Sequence, residues 1–432
     1  MLNNEQKKAA KFTEGISVVI AGAGSGKTKT LVKRIENTLC EGKVKPEEIL
    51  ILTFSKKAAE EIRERSAKEI ADADKITAGT FHSLCYRILS ENPKLLFEKN
   101  GIRNFSIMSE DDEEKLLTDM VASRIDNFMG LSAKTVFYLL KNLHRMEESR
   151  LKALHDLGIV RELECIKTDF ELHKKERSLL TFSDLILCAN SILSDNNDFR
   201  EMMRKRFKYI FVDEFQDTSD DNFLLLKNLL PDDKPNLFAV GDDWQSIYGF
   251  RDANIDYMIR PHKYFRSVSR YFLTVNYRSR REIIRISQKA IKRNKNRTSK
   301  RIKSASGKGG KIVFKHYDSW RDEIETVKSI LTGKDKGTSC ILYRSNYYGD
   351  RIKKQIGSNE NILFSTIHGS KGLEYDNVIL CGVEDGVFPC AFNSLEEERR
   401  LLYVALSRAK EKLYILHKRT ESLKPLFIRE LS

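Results

Sequence analysis

Residues 21–28 (AGAGSGKT) place three glycines, a lysine and a threonine at the spacing of a phosphate-binding loop. The glycines let the backbone come close to phosphate oxygens, so that its N–H groups can donate to them. Lys27 supplies a positive charge for the β- and γ-phosphates, and the hydroxyl of Thr28 suits Mg²⁺. An apolar run precedes the loop and a helical pattern follows it, so a helix N-terminus would face the phosphates. The general pattern begins with Gly, where this chain has Ala21.

A second motif, VDEFQDT at residues 212–218, carries two adjacent carboxylates. The preceding run YIFV reads as a buried strand, which would deliver Asp213 and Glu214 to the carboxyl edge of a parallel sheet. We expect Asp213 to hold Mg²⁺ through water and Glu214 to polarise the water that attacks the γ-phosphate. An Asp-Glu pair alone is typical of a solvated turn. Behind a strand and a phosphate-binding loop it indicates catalysis.

The elements that must position these motifs alternate along the chain. The strand-like runs ISVVI, ILILTF and KITAGTF are separated by helical patterns, which predicts a doubly wound parallel sheet. From about residue 89 to residue 199 the pattern is charged, amphipathic and almost strand-free, so we expect a mostly helical insertion. Strand patterns resume with YIFV and NLFAVG, and a further α/β unit contains KIVFKHY, SCILYRS, NILFSTIHG, NVILCGV and KLYILHK. The predicted fold class is α/β, with two tandem P-loop-type units.

The charge balance favours a polyanionic partner, since 76 Lys and Arg residues oppose 62 Asp and Glu, for a net charge of +14. The basic residues look dispersed among acids, so we expect much of the excess to be solvated helix surface. Residues 266–301 are predicted to be largely helical and basic. The following loop SASGKGGK could touch a phosphate backbone or simply stay soluble, and the plain loop is favoured.

The seven cysteines show no C-x-x-C pair and no metal-ligand spacing, so we expect buried thiols in a reducing compartment. No signal pattern or membrane-spanning run is present in the sequence. We therefore expect a cytoplasmic protein without a membrane partner.

Eight further segments, taken in order with the two motifs, resemble those of the UvrD/Rep-type superfamily 1 helicases. The resemblance covers both ends of the chain and most of its middle. The segments are residues 2–6 (LNNEQ), 53–59 (TFSKKAA), 79–84 (GTFHSL), 240–253 (VGDDWQSIYGFRDA), 273–279 (LTVNYRS), 341–346 (ILYRSN), 365–375 (STIHGSKGLEY) and 398–410 (ERRLLYVALSRAK).

This resemblance implies ATP as nucleotide and Mg²⁺ as cofactor, with Thr28 and Asp213 on the metal. Guanidinium groups stabilise the charge that develops on the γ-phosphoryl oxygens. The implied catalytic residues are Lys27, Asp213, Glu214, the γ-phosphate sensor Gln245, and two arginine fingers from the second motor domain, Arg278 and Arg408. The implied nucleotide-binding residues are Gln6, Ala21, Gly22, Ala23, Gly24, Ser25, Gly26, Lys27, Thr28, Lys29, Tyr277 and Glu374.

Within that set the resemblance implies that Gln6 contacts the edge of adenine, that Tyr277 stacks on its face and that Glu374 contacts the ribose. Lys29 stands where the family usually has an Arg over the other face of the base, and it is a poorer stacking partner.

For nucleic acid, the resemblance implies an aromatic track for single strands. Its candidates are Phe54, Phe81, His82, Tyr248, Phe250, Arg251 and His368. Phe250 replaces the usual Trp, and for any one ring core packing is the alternative reading. Phe182 and Asp184 match a family segment more weakly and are expected to be structural.

The expected domains are a first RecA-like motor domain from residues 1–88 and 201–271, a helical accessory insertion at 89–200, and a second RecA-like motor domain at 272–432. Family members normally carry a second accessory insertion between the ILYRSN and STIHGSKG motifs. Here Ile356 and Ser365 are separated by little more than a loop, so we expect that insertion to be absent. The chain also ends soon after KLYILHK, so no fused nuclease or iron–sulfur domain is expected.

The sequence therefore predicts an ATP- and Mg²⁺-dependent translocase or helicase, with 3′→5′ polarity implied by the family. Its partner would be single-stranded DNA or a duplex with a single-stranded tail. It could serve as motor subunit beside a separate nuclease in a defence or repair complex. The alternatives are an ATP-gated DNA clamp or regulatory ATPase subunit that does not unwind, and a P-loop kinase or metabolic ATPase.

Overall fold

The computed structural model describes residues 1–41, 44–102, 104–128, 130–142, 148–333, 337–357, 361–390, 394–419 and 424–432. Two compact units are present. The first unit contains residues 1–79, 204–223 and 230–432, and the second contains residues 80–203 and 224–229.

The strands in chain order are β1 (Ile16–Ala21), β2 (Ile49–Thr53), β3 (Thr77–Thr80), β4 (Ser106–Ile107), β5 (Leu179–Leu180), β6 (Tyr209–Val212), β7 (Leu237–Gly241), β8 (Val268–Leu273), β9 (Val275–Asn276), β10 (Lys303–Ser304), β11 (Lys311–Tyr317), β12 (Ser339–Tyr343), β13 (Ile362–Thr366), β14 (Tyr375–Val383) and β15 (Ala409–Lys418). The helices are α1 (Asn4–Ala10), α2 (Lys27–Cys40), α3 (Lys56–Glu69), α4 (Phe81–Glu91), α5 (Pro93–Asn100), α6 (Glu110–Ser123), α7 (Ala133–Asn142), α8 (Glu148–Asp156), α9 (Ile159–Glu176), α10 (Phe182–Asp195), α11 (Asn197–Arg206), α12 (Asp220–Leu229), α13 (Asp256–Ile259), α14 (Arg281–Ile291), α15 (Trp320–Leu331), α16 (Asn346–Ile356), α17 (Leu395–Leu406) and α18 (Leu426–Leu431).

A six-stranded sheet in the first unit has the order β3-β2-β6-β7-β1-β8. Its recorded strand pairs are parallel, as between β1 and β7 and between β2 and β6. Strand β1 lies between β7 and β8 and is buried at all six positions, as its apolar, β-branched run predicts. Because parallel strands end at one edge, the residues that follow β1, β6 and β7 meet there.

A second parallel sheet in the same unit has the order β11-β15-β14-β12-β13. Helices α14 and α17 contribute to the apolar core on one side of it, through residues such as Ile283 and Leu402. Strand β12 is followed in the sequence by α16, which ends at Ile356, and then by β13, which begins at Ile362. The two parallel sheets confirm the predicted α/β class with tandem P-loop-type domains.

The second unit is mainly helical, with a core that includes Leu117, Leu163 and Phe170. The predicted helices at 110–125, 132–144 and 148–157 correspond to α6, α7 and α8, although residues 143 and 144 lie outside the described part of the chain. Strands β4 and β5 form one short parallel pair in this unit. No helix within the described ranges is long and apolar enough to cross a membrane.

The prediction of a largely helical stretch at residues 266–301 was wrong for its first part. Residues 268–273 form β8, which pairs with β1 at the edge of the first sheet, and helix α14 covers only residues 281–291. The Val, Tyr and Phe side chains of β8 favour a pleated strand once a partner edge is available. The predicted division after residue 271 falls inside β8, and the domain limits stay predictions.

Candidate nucleotide and nucleic-acid site

The phosphate-binding loop connects β1, which ends at Ala21, with α2, which begins at Lys27. Gly24 and Gly26 have φ angles of +63° and +78°, a left-handed conformation that favours glycine. A Cβ on Gly24 would lie 2.7 Å from Cβ of Arg278, so the loop also needs glycine for close packing. No side chain caps the N-terminus of α2, which leaves its N–H groups suited to an anion.

Lys27 and Glu214 form a partly buried pair across the end of the sheet. Nζ of Lys27 lies 2.8 and 2.9 Å from the two carboxylate oxygens of Glu214. Burial opposes ionisation of Glu214, but the charge of Lys27 lowers its pKa to about 2. Glu214 also has a φ of +53°, a strained value for a residue with a side chain. The carboxylate is thus a charged acceptor in a fixed position.

Asp213 shows the opposite electrostatics. Burial and the neighbouring charge of Glu214 raise the pKa of Asp213 to about 7. A divalent cation would relieve this repulsion, and the hydroxyl Oγ of Ser25 is buried without a hydrogen-bond partner. These features fit Mg²⁺ held by Thr28 and Asp213. Among the described residues there is no group of three or more His, Cys, Asp or Glu that could hold a metal.

Gln245 joins the two sheets at the same site. Its Nε2 donates to Asp242 at 2.6 Å, and its Oε1 accepts from Nη2 of Arg408 at 2.8 Å. Arg408 is buried and also donates to the carbonyl oxygens of Val404 and Leu373. Burial, together with the charge of nearby Arg278, lowers the pKa of Arg408 to about 9. The predicted sensor and one predicted arginine finger are therefore in direct contact.

The second predicted finger, Arg278, is held by an acid from the second sheet. Its Nε donates to Glu374 at 2.8 Å, and Nζ of Lys410 lies 3.0 Å from the same carboxylate. Asn276 links this segment to the phosphate-binding loop, since Nδ2 donates to the carbonyl oxygen of Ala23 at 2.6 Å. The predicted ribose ligand Glu374 thus pairs with the finger in this structure.

The predicted adenine end is assembled from α1 and the segment after β9. Gln6 belongs to a capping box with Asn3 and donates from Nε2 to the carbonyl oxygen of Ser25 at 2.9 Å. Tyr277 is 47% exposed, and its hydroxyl accepts from Asn3 at 2.8 Å. Lys29 is exposed. Gln6 and Tyr277 therefore both contact Asn3, and about half of the tyrosine is exposed.

Sequence reasoning missed Lys300, which is fully buried beside the site. Its Nζ donates to Asp242 at 2.6 Å, to Asp243 at 2.7 Å and to the carbonyl oxygen of Ala21 at 2.7 Å. It also lies 4.7 Å from the centre of the Trp244 ring. Lys300 ties the phosphate-binding loop to the aspartate that holds Gln245. Its position in a strongly basic stretch gave no signal that distinguished it from surface lysines.

Sequence reasoning also missed a polar link from Glu214 to the predicted track. Gln216 donates from Nε2 to Glu214 at 2.6 Å and to Asp217 at 3.2 Å. Asp217 accepts from Lys371, whose ammonium lies 4.8 Å from the centre of the Tyr248 ring. Both Asp217 and Lys371 lie inside motifs identified from the sequence, which was the available signal.

Three of the predicted track residues form one cluster, called the ring cluster below: Tyr248, Phe250 and His368. Ring centres lie 5.8 Å apart for Tyr248 and Phe250, and 5.6 Å apart for Phe250 and His368. Phe250 is 50% exposed, and Arg251 lies 5.8 Å from its centre. Burial and the charge of Arg344 lower the pKa of His368 to about 4, so its ring is neutral at pH 7. The cluster offers an aromatic surface next to a cation.

The remaining track candidates are placed differently. Phe54 is partly buried at the end of β2. Phe81 and His82 belong to the second unit, where Phe81 is 2% exposed and His82 packs edge-on against Phe182 at 5.4 Å. Phe81 offers no open face in this structure. Asp184 accepts from Lys174 at 2.8 Å and caps α10, as expected for a structural residue.

Comparison with known proteins assigns both halves of the chain. Residues 2–266 match the UvrD/REP helicase N-terminal domain, and residues 271–360 and 353–420 match the UvrD-like helicase C-terminal domain. The ATP-dependent DNA helicase PcrA of Staphylococcus aureus (strain Mu50 / ATCC 700699) is 32% identical over 379 residues, covering 86% of this chain and 51% of the relative. PcrA of Staphylococcus epidermidis (strain ATCC 12228 / FDA PCI 1200) is 33% identical over 388 residues, with the same coverages. The chain spans about half the length of these curated relatives, and it belongs to the UvrD/REP helicase family.

Proposed function

We propose that this chain is an ATP- and Mg²⁺-dependent motor that moves along single-stranded DNA. The contact between Arg408 and Gln245 carries the proposal, because it joins the second sheet to the site of the Lys27–Glu214 pair. Opening and closing of this contact with the nucleotide state would move one sheet against the other. The names of the PcrA relatives support DNA as the substrate.

In this proposal Lys27 and the loop N–H groups bind the phosphates, Thr28 and Asp213 hold Mg²⁺, and Glu214 accepts the proton of the attacking water. Mg²⁺ supplies charge neutralisation at the phosphates. Arg278 and Arg408 would turn from their protein partners to the γ-phosphate, which brings positive charge to the developing oxyanion. Adenine would stack on Tyr277, with Gln6 at its edge.

The ring cluster would stack bases of the single strand, and the family resemblance supports 3′→5′ movement. A translocation assay on DNA labelled at either end, with ATP turnover measured with and without oligo(dT), tests this function. Strong stimulation and arrival at the 5′ end are expected. Turnover that is indifferent to DNA would contradict it and favour a metabolic ATPase.

A clamp that does not unwind is a second candidate, favoured by the short separation in sequence between α16, which ends at Ile356, and β13, which begins at Ile362. The family resemblance places a duplex-handling insertion in this region of longer members. A separate nuclease or other subunit could then supply what the motor lacks. DNA-stimulated turnover without movement would favour the clamp, and robust unwinding by the purified chain would exclude the need for a partner.

A further inference from the structure

The positive charge of this chain is concentrated in one segment, residues 257–317. This segment has nineteen Lys and Arg residues and a single acid, Glu282. Because the whole chain has 76 basic and 62 acidic residues, the rest of it has 57 basic and 61 acidic ones. The expectation that the basic excess is dispersed was therefore wrong. The net positive charge of the chain therefore comes from residues 257–317 alone.

Part of this charge is used inside the protein. Arg278 pairs with Glu374, Arg280 pairs with Glu411, and Lys300 is buried between aspartates. Several of the other cations are exposed, and six of them, on α14 or in the residues that follow it, form no salt bridge within the described ranges of the chain. We call them the α14 surface; they are Arg281, Arg285, Lys292, Arg301, Lys303 and Lys308.

The helix itself explains why three of these side chains share a face. Arg281 and Arg285 lie on the exposed side of α14, and Lys292, the residue after its end, continues the same helical repeat. Ile283 and Ile286 are buried on the other side of the helix. Four and eleven residues are close to whole numbers of helical turns, so these cations lie in one row.

The segment after α14 is bound alongside this row. Gln288 donates to the carbonyl oxygen of Ile302 at 3.2 Å and accepts from its N–H at 3.0 Å. The N–H of Arg281 donates to the carbonyl oxygen of Gly307 at 2.9 Å. The one acid, Glu282, accepts from the N–H groups of Gly309 and Gly310. Arg301, Lys303 and Lys308 are thereby held beside the helix, so the six cations belong to one surface.

The chemistry of this surface suits phosphates rather than bases. Residues 279–313, which include all six cations, contain no Phe, Tyr, Trp or His, so this stretch itself supplies no ring on which a base could stack. Single strands are typically held by aromatic platforms, which the ring cluster supplies elsewhere in the first unit. A duplex presents its phosphates and covers the faces of its bases, so cations without rings fit it better.

We propose that the α14 surface binds the phosphate backbone of duplex DNA, as a second DNA contact separate from the ring cluster. The row from Arg281 to Lys292 is about 16 Å long, and duplex DNA carries about ten phosphate charges over that distance. The proposal rests on the proposed function only in taking DNA as the polymer. It assigns the duplex, rather than the single strand, to this face of the protein.

The test compares two triple variants of the full chain that lose the same charge. Arg281→Gln, Arg285→Gln and Lys292→Gln remove the row, and Arg321→Gln, Lys328→Gln and Lys354→Gln remove three exposed cations from α15 and α16. Fluorescence anisotropy with a blunt 20-base-pair duplex, from 50 to 200 mM salt, gives the slope of log K against log salt. The first variant should lose about 2 to 3 units of slope and the second less than about 1, since each phosphate contact contributes about 0.9.

A third variant, Arg281→Lys with Arg285→Lys, should keep the wild-type slope because counterion release depends on charge. Thermal melting of every variant checks that it is folded. Equal duplex slopes in the two triple variants would overturn the proposal and leave an acidic protein surface as the alternative partner. Stimulation of wild-type ATP turnover by oligo(dT), measured separately, tests the proposed motor function, so the two failures are distinguishable.

Discussion

Glu214 stands at the end of β6 in a left-handed conformation, with its carboxylate on Lys27. Gln would keep the shape and most polar contacts of this side chain, but it cannot take a proton from water. We expect Glu214→Gln to bind ATP and to hydrolyse it at least about 100-fold more slowly, as is typical for loss of a general base. A nucleotide titration checks that ATP binding is retained, and steady-state turnover of the same preparation checks that hydrolysis is slower. Near-normal turnover would mean that another group activates the water.

Lys300 is the second residue whose replacement has a sharp consequence. Lys300→Met would leave Asp242 and Asp243 buried without their cation, which typically costs about 3–5 kcal/mol in unfolding free energy. Lys303→Met removes an exposed lysine of the same segment and should change stability by less than about 0.5 kcal/mol. Chemical denaturation of the two variants provides the comparison. Equal stabilities would show that the aspartates find other partners.

The site could be predicted from the sequence wherever a motif carries its own chemistry. Lys27, Asp213 and Glu214 lie where the strand–loop–helix pattern places them, and the local sequence is sufficient for that. The role of Lys300 depends on contacts with residues about 58 and 279 positions away, which no local pattern encodes. Burial also separates Phe81 from the exposed Phe250, although both are aromatic residues in matched motifs.

At the scale of elements, the buried parallel strands were the most predictable part of the fold. Strand β6 coincides with the predicted run YIFV, because a continuous apolar run that must be buried has few other solutions. The edge strand β11 also coincides with its predicted run KIVFKHY, although most of its residues are not buried. Strand β8 was not predicted, because its sequence mixes polar and apolar residues and forms a strand by pairing with the edge of β1. Pairing with a distant strand, rather than the local propensity of residues 268–273, determines that they form a strand.

The packing of α15, α16 and β14 contains a buried acid that should make stability depend on pH. Glu323 of α15 accepts from the hydroxyl of Tyr348 and from the N–H of Gly382, and burial raises its pKa from 4.5 to about 7. Between these values the folded state keeps a proton that the unfolded state has lost. The unfolding free energy therefore falls as pH rises from about 4.5 to about 7, by about 3 kcal/mol for this group.

Glu323→Gln should remove the part of the pH dependence that Glu323 contributes, because an amide keeps both polar contacts and does not ionise. Glu325→Gln, on the exposed side of the same helix, is the matched control and should retain the wild-type profile. Denaturation midpoints between pH 4 and pH 8 distinguish them. Asp213, whose pKa is also raised to about 7, keeps its own contribution in every variant. A loss of stability in the Glu323 variant as large as that of the wild type would contradict the role given to Glu323.

At the scale of the whole molecule, polar side chains of the first unit connect the proposed nucleotide site with the proposed nucleic-acid surface. Glu214, Gln216 and Asp217 form a continuous series at one end, and Lys371 joins Asp217 to the ring of Tyr248. Lys371 comes from the second sheet, so a relative movement of the sheets would change this contact. The series is a physical basis for coupling between ATP turnover and DNA binding, and coupling needs a direct measurement.

Lys371→Gln should weaken this coupling more than it weakens DNA binding. The variant keeps the ring cluster, so its affinity for oligo(dT) should stay within about threefold of wild type, while Phe250→Ala should lose about 1–3 kcal/mol of stacking. Stimulation of ATP turnover at saturating oligo(dT) should fall at least about fivefold in Lys371→Gln, the size of a typical coupling free energy. Saturation removes differences in affinity, so Phe250→Ala should recover more of its stimulation than Lys371→Gln does. Full stimulation of Lys371→Gln at saturation would show that the signal travels through Arg408 and Gln245 instead.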